Sequence, residues 1–222
     1  MRESGEVVPK PLVEIGGRPI LWHVMSLYAA QGFERFVLLL GHGAARVRAF
    51  ADSLPNAWEV TCLDTGRDTP TGGRVARARE HLEGGRFCLT YADGLADIDL
   101  GSLVAYHEEQ GGAATMTIVR PRNPWGVARL APGGRVAGFE EKPRLQDWVN
   151  GGFMVMEARV LAAIGPEDVL EHGPLESLAA AGELYAYRHE GFWDCMDTYK
   201  DTLLLNELWD RGEAPWRALV RA

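Results

Sequence analysis

What most constrains this chain is a regular alternation of short apolar runs with helical patterns. Phe36-Val37-Leu38-Leu39-Leu40 is a continuous apolar run closed by Gly41-His42-Gly43, the pattern of a strand buried on both faces. Ala44 to Leu54 then reads as a helix, Trp58 to Leu63 as a strand and Thr71 to about Leu82 as a helix. Phe87 to Tyr91 reads as a third strand, ending at Ala92-Asp93-Gly94. Leu100 to Glu109 and Ala114 to Val119 repeat the unit. Upstream, Arg18 to Tyr28 has apolar residues at helical spacing, with Pro19 suited to a first turn and Gly32 to a stop. Strands alternating with helices need crossover connections, so the spacing predicts an α/β domain with a mostly parallel sheet flanked by helices. Such sheets bind ligands at the carboxyl ends of their strands, and Gly41, Thr71 and Asp93 lie at or just after such ends.

After Arg120 the pattern changes. Gly126 to Leu130 and Arg135 to Phe139 flank Ala131-Pro132-Gly133-Gly134, which signals a hairpin. Gly152 to Met156 and Leu184 to Arg188 read as further strands, and Thr198 to Trp209 as the last clear helix. No internal repeat, low-complexity tract or long linker divides the chain. The expectation is a single domain over residues 1–222, with an antiparallel elaboration over about 121–188 covering one edge.

Charge and composition remove several classes. Lys+Arg 23 against Asp+Glu 31 gives −8, which disfavours a nucleic-acid binder because that needs a basic face to displace counterions. A small anion is still allowed, since a few local cations and backbone amides suffice to hold one. Three cysteines, an odd number without paired spacing, argue against a disulfide framework and a zinc module. No apolar run follows a basic start and no stretch approaches about 18 apolar residues, so the reading is a cytosolic protein without a signal peptide or membrane span. The six histidines show no metal-ligand spacing, and Cys62 and Cys88 read as small core residues.

Several residues are of the right type for chemistry. Asp93 closes an apolar strand and precedes a glycine, a suitable place for Mg²⁺ held by carboxylates and substrate phosphates. It reads equally as a turn aspartate capping the next helix. Asp197 follows Gly191-Phe192-Trp193, and is either the N-cap of the last helix or a second carboxylate converging with Asp93; Asp194 competes for that role. Lys10 in Pro9-Lys10-Pro11 and Lys142 before Pro143 are restrained by proline and could reach a phosphate, though a solvated lysine is the plainer reading of each. Thr71-Gly72-Gly73-Arg74 is a glycine turn at a helix start, either a loop or a place where N–H groups meet an anion or base; it lacks the Walker spacing.

Taken in order, these blocks resemble the sugar-1-phosphate nucleotidyltransferases. The resemblance is carried by Lys10 to His23, by Asp64-Thr65-Gly66 with Thr71 to Arg74, and by the strand ending at Asp93-Gly94. It continues through Glu141-Lys142-Pro143, Asn150 to Phe153, and Gly191-Phe192-Trp193 with Met196-Asp197-Thr198, covering about Pro9 to Trp209. Within the family it looks closest to the glucose-1-phosphate cytidylyltransferases. The resemblance implies a Rossmann-like fold of the nucleotide-diphospho-sugar transferase type. It also implies a Mg²⁺-dependent reaction of a nucleoside triphosphate (CTP) with a sugar 1-phosphate (glucose 1-phosphate), giving a nucleotide-sugar and pyrophosphate. By position, Asp93 and Asp197 match the metal pair and Lys10 the lysine on the nucleotide phosphates. Lys142 matches the lysine on the sugar phosphate, and Glu141 a contact to a sugar hydroxyl. Thr71, Gly72, Gly73 and Arg74 match the nucleotide side, and Gly126, Asn150 and Gly151 the sugar pocket. Another base (UTP, dTTP or GTP), another sugar, and a homo-oligomer stay open.

One departure stands out. The family opens with a buried central strand and a G-G-x-G-T-R-L phosphate loop, and this chain opens at Met1-Arg2-Glu3-Ser4-Gly5-Glu6, like the sequence that follows that loop. The expectation is an N-terminally truncated reading of a native protein that has the loop. The alternative is a non-catalytic sugar-phosphate or nucleotide binding protein that has lost it. His42 after Gly41 is a smaller departure that bears on base choice.

Overall fold

The computed structural model describes residues 2–3, 6–54 and 56–220. In chain order the first half runs β1 Arg2–Glu3, β2 Glu6–Val7, β3 Glu14–Ile15, β4 Arg18–Pro19, α1 Ile20–Ala29, β5 Arg35–Leu40, α2 Ala44–Ala51 and β6 Glu59–Asp64. There follow α3 Thr71–Arg77, α4 Arg79–Leu82, β7 Phe87–Leu89, β8 Gly94–Ala96, α5 Leu100–Gln110 and β9 Ala114–Val119. The rest is β10 Val127–Leu130, β11 Val136–Glu140, β12 Val149–Met156, α6 Pro174–Ala180, β13 Leu184–Arg188, β14 Trp193–Cys195 and α7 Tyr199–Asp210.

The α/β class and the helical spans stand as read, with small shifts. The helix expected over 71–82 breaks at Ala78 (φ −90°, ψ 5°) into α3 and α4. Pro19 precedes α1 as its N-cap instead of opening its first turn. At the front, where no strand was expected, Arg2–Glu3 pairs antiparallel with Glu6–Val7. So short a ladder has no apolar alternation to betray it. Met1, Ser4 and Gly5 of that opening lie outside the described residues.

The sheet is mixed where a mostly parallel one was expected. β5 and β6 are parallel, as are β9 and β13, but β12 runs antiparallel to both β9 and β7 in a four-stranded sheet of order β13-β9-β12-β7. The reason is the connection: the chain leaves β9, makes the hairpin β10–β11 and returns beside β9, and a return of that kind gives an antiparallel pair. The 121–188 segment therefore does more than cover an edge. It supplies β12, which lies between β9 and β7, and β13 beyond β9. Only β10–β11 stands apart, with Trp125, Leu130 and Phe139 exposed.

The strand buried on both faces is β12, not β5. Phe153 and Val155 enter one core with Leu27 of α1, Leu103 of α5, Leu205 of α7 and Trp216. Met154 and Met156 point the other way, onto Val160, Leu161, Ile164 and Leu175. Strand geometry turns successive side chains to opposite faces, so an unbroken apolar run is what a doubly covered strand requires. β5 has only β6 beside it among the described residues, and Phe36 to Leu39 are half-buried. Truncating Phe153 to Ala would cost about 3–5 kcal/mol by removing a side chain that is fully enclosed.

One buried polar group ties the front of the chain to its end. His23 is fully buried; its Nε2 lies 2.8 Å from the Ile15 carbonyl and its Nδ1 3.4 Å from the Trp216 indole N–H. The indole can only donate, so Nδ1 accepts and Nε2 carries the proton to Ile15. The ring is thus neutral, and burial holds its pKa below the ordinary histidine value.

Candidate active site at the carboxyl end of β7

Two connections deliver the central carboxylates. β8 pairs antiparallel with β14 in the register Gly94↔Cys195, and the Met196 N–H donates to the Asp93 carbonyl at 2.9 Å. That register brings the residue before β8 and the residue two past β14 to the same end of the ladder. Neither aspartate is occupied as a helix cap. α5 is capped by Asp99, whose Oδ1 accepts from Ser102 N at 3.0 Å, and α7 by Thr198. The capping readings of Asp93 and Asp197 are thereby replaced. Asp194, the competitor, sits on β14 with Oδ1 taken by the Cys195 N–H, and burial pushes its carboxyl up to about 6.

Both carboxylates meet one ammonium. Lys10 Nζ donates to Asp93 Oδ2 at 2.6 Å and to Asp197 Oδ1 at 2.6 Å. A short 3₁₀ turn over Lys10–Leu12, entered from Pro9 and continued by Pro11, aims the lysine inward. Partial burial pulls the Lys10 pKa down, but the two carboxylates outweigh it and hold it above the usual value. Lys10 in turn holds the Asp197 carboxyl below its usual value, helped by the Cys195 thiol, which donates to Oδ2 at 3.1 Å. Burial pushes that thiol up to about 12, so it stays protonated. Asp201 fixes the backbone here: its Oδ2 accepts from Asp197 N (3.1 Å), Thr198 N (2.7 Å) and Thr198 Oγ1 (2.9 Å).

Beside the pair opens a cleft of about 210 Å³ lined by Tyr91, Asp93, Asn150, Gly151, Trp193 and Asp197, among others. Its far wall is a bulge in β12, where the register with β9 shifts between Asn150 and Met154. Gly152 (φ 74°) and Phe153 (φ 39°) take left-handed conformations there, Gly152 N donates to Asn150 Oδ1 at 2.9 Å, and the Trp193 indole donates to the Gly151 carbonyl at 2.7 Å. Bulges of this kind re-aim backbone next to ligand sites.

The expected nucleotide-side residues divide. Thr71 opens α3; its hydroxyl donates to Glu171 Oε2 at 2.8 Å and accepts from Leu170 N at 2.8 Å. Glu171 also takes the Tyr91 hydroxyl on Oε1, and Asn150 Nδ2 donates to that phenolic oxygen at 3.4 Å. Gly72 and Gly73 are buried against the loop before α6. A Cβ on Gly73 would lie 2.1 Å from the Pro166 carbonyl oxygen, and one on Gly72 2.7 Å from that of Asp168. The Arg74 guanidinium donates to the Leu40, Gly66 and Arg67 carbonyls and to Thr65 Oγ1. The two glycines make a close backbone approach, and Arg74 fastens the end of β5 to the loop after β6.

Gly126, Glu141 and Lys142 cluster at the base of the β10–β11 hairpin and do not line the cleft. A Cβ on Gly126 would fall 2.8 Å from Glu141 Oε2 and 2.4 Å from the Phe139 ring. Lys142 has φ 49°, a left-handed conformation that is disfavoured for a residue with a Cβ. Tyr91, Glu171 and Asp201 escaped the sequence reading, as did the role of the Cys195 thiol as a donor to Asp197. Tyr91 and Cys195 lie on elements whose chemistry was credited to a neighbour, and Glu171 and Asp201 act through contacts about 80–100 residues away or within a helix cap.

The nucleotidyl transferase family pattern matches residues 5–194. The chain is 37% identical to the "Probable glucose-1-phosphate cytidylyltransferase" of Bacillus subtilis and 35% identical to the glucose-1-phosphate cytidylyltransferase of Salmonella typhimurium, in each case over 98% of this chain and 94% of the relative. Among solved structures, HddC from Yersinia pseudotuberculosis superposes with a TM-score of 0.72 at 19% identity, covering 91% of this chain and 90% of that one. Apo UDP-glucose pyrophosphorylase gives 0.70 at 11% identity, covering 92% and 91%; both speak for the fold. A pattern over most of the length and relatives above 30% identity end to end place this chain in the nucleotidyl transferase family, among its sugar-1-phosphate nucleotidyltransferases.

Proposed function

We propose that the protein transfers a cytidylyl group from CTP to glucose 1-phosphate, forming CDP-glucose and pyrophosphate. The observation that carries this is the convergence of Asp93 and Asp197 on Lys10 beside the cleft. The base and sugar follow the names of the two relatives that match end to end.

The carboxylate pair suits Mg²⁺. Its two oxygens already surround one positive charge, and Mg²⁺ favours one or two carboxylates with water and substrate phosphate oxygens completing its shell. Among the described residues no group of three or more His, Cys, Asp or Glu side chains is placed to hold a metal ion, so water and substrate oxygens would have to complete the shell. Bound between Asp93 and Asp197, the ion would supply positive charge against the triphosphate. Lys10, displaced from the carboxylates, is placed to turn its ammonium to the phosphate oxygens. Lys142, at the hairpin base outside the cleft lining, is assigned to the sugar phosphate by its match to the family, and Asn150 and Gly151, on the cleft wall, are assigned to the sugar. The sugar phosphate oxygen attacks the α-phosphorus and pyrophosphate leaves, so the protein supplies position and charge and no nucleophile. The protonated Cys195 thiol accords with that. A homo-oligomer fits the exposed hairpin, where Trp125 is 73% and Leu130 71% exposed. No helix among the described residues is long and apolar enough to cross a membrane.

The test is pyrophosphate release from glucose 1-phosphate with Mg²⁺ and CTP, UTP, dTTP or GTP in turn. Release with CTP above the others is expected. Asp93→Asn and Asp197→Asn should each lower it by at least about 100-fold with the thermal transition retained. Full turnover in either variant, or none with any triphosphate from a version extended upstream through the phosphate loop, would overturn the reading.

A further inference from the structure

The polar chain Thr71–Glu171–Tyr91–Asn150 carries more than a scaffold role. It runs from the first residue of α3 to the bulge of β12, and its two middle members have fixed hydrogen-bond polarity. The Asn150 amide is oriented by its Oδ1, which accepts from Gly152 N at 2.9 Å, so Nδ2 is the atom facing Tyr91. The Thr71 oxygen accepts from Leu170 N, so its proton goes to Glu171 Oε2. With one oxygen held by Thr71, the carboxylate presents the other to Tyr91, and the phenolic proton points at Glu171. An ionised carboxylate can only accept, so the bond between them runs from the Tyr91 hydroxyl to Glu171.

We propose that Tyr91 is a specificity-determining residue: its phenolic oxygen, with its proton committed to Glu171, faces the cleft as an acceptor and requires a hydroxyl donor from the sugar. Tyr91 lines the cleft with Asp93 and Asn150. The Asn150 bond to it is long, 3.4 Å, and leaves acceptor capacity on the oxygen. A phosphate has only acceptors at neutral pH and would meet the carboxylate of Glu171 behind the phenol, so the group placed here is a sugar hydroxyl and not a phosphate oxygen. An analogue without that hydroxyl leaves the phenolic oxygen with only the long Asn150 contact, and an under-satisfied acceptor is how a polar site rejects a ligand that merely lacks a group. Glu171 is a positioning residue in this scheme. The proposal rests on reading the cleft as the sugar pocket.

The experiment is calorimetric binding of glucose 1-phosphate and its 2-, 3-, 4- and 6-deoxy analogues to the whole chain, to Tyr91→Phe and to Glu171→Gln. Folding of each is checked by thermal unfolding. In the parent, one analogue should bind about 10-fold more weakly than glucose 1-phosphate through Tyr91. In Tyr91→Phe that analogue and the parent sugar should bind alike, with the other three ratios unchanged. Glu171→Gln, whose amide can donate to the phenol and send its proton into the cleft, should shrink the same ratio. Persistence of every ratio in Tyr91→Phe, or equal weakening of CTP and sugar phosphate, would overturn the assignment. Pyrophosphate release by the parent reads the reaction separately. Turnover with unchanged ratios refutes Tyr91 alone, and lost discrimination without turnover refutes the reaction alone. No binding of glucose 1-phosphate refutes both.

Discussion

Replacing Lys10 by alanine would leave two carboxylates facing each other across the space of one ammonium. Each oxygen lies 2.6 Å from Nζ, so the two are no more than about 5 Å apart. Unit charges at that distance repel by about 3 kcal/mol at an effective dielectric of 20 and by about 0.8 kcal/mol in water. The Asp197 side chain is 65% exposed and that of Lys10 39%, so the watery end of this range applies. Loss of the ion pairs and release of the repulsion should together cost about 1 kcal/mol, which for a chain of this size lowers Tm by about 2–4 °C. The sharper consequence concerns divalent cations. In the parent, Mg²⁺ has to displace the ammonium; in Lys10→Ala it finds the carboxylates bare. Millimolar Mg²⁺ should therefore raise Tm more in Lys10→Ala than in the parent and recover most of the lost stability. Turnover should still fall by at least about 100-fold, because no ammonium is left to meet the triphosphate. Calorimetric scans in chelator and in Mg²⁺ decide it. An equal Mg²⁺ response in both proteins would refute the idea that ammonium and metal share one place.

Three further outcomes can be measured directly. The folded pKa of His23 lies below its unfolded value, so the unfolded chain takes the proton first: stability should hold above about pH 6.5 and fall as pH drops below it, and His23→Gln should flatten that fall in urea titrations. Asp201→Ala should cost about 1 kcal/mol as a lost helix cap and also lower kcat by freeing the Asp197 backbone, whereas Asp201→Glu, which rebuilds the capping box, should restore both; stability lost with kcat intact would leave Asp201 a cap only. Lys142→Ala should raise KM for the sugar phosphate well above its effect on the nucleotide, and an equal effect on the two would count against its placement.

Much of this was legible in the chain because it is local. The period of the apolar runs marks the helices and most strands, whereas Gly94, expected after a strand end, opens β8 instead. The carboxylate pair could be named as candidates, but their convergence depends on the β8–β14 register, a pairing of residues about 100 positions apart that no local pattern encodes. The same limit explains β12. Its apolar run resembles that of β5, and only the number of neighbours each strand acquires separates a doubly covered strand from a half-buried one. The packing of Gly72, Gly73 and Arg74 escaped the sequence for a related reason. Glycine and arginine serve equally for close packing and for anions, and the Pro166–Asp168 loop against which the two glycines pack lies far off in sequence.

The Lys10–Asp197 contact spans 187 residues, and Lys10–Asp93 spans 83. On a ribosome, Lys10 and Asp93 emerge long before β14 and α7 exist, so a nascent chain displays a lysine with a single aspartate and an unfilled cleft wall. Trp193, Asp197 and the buried Trp216 arrive 100 or more residues after Asp93. The Lys10–Asp93–Asp197 cluster is thereby deferred until Asp197 has emerged, and closing such long loops makes it one of the slower things the protein assembles.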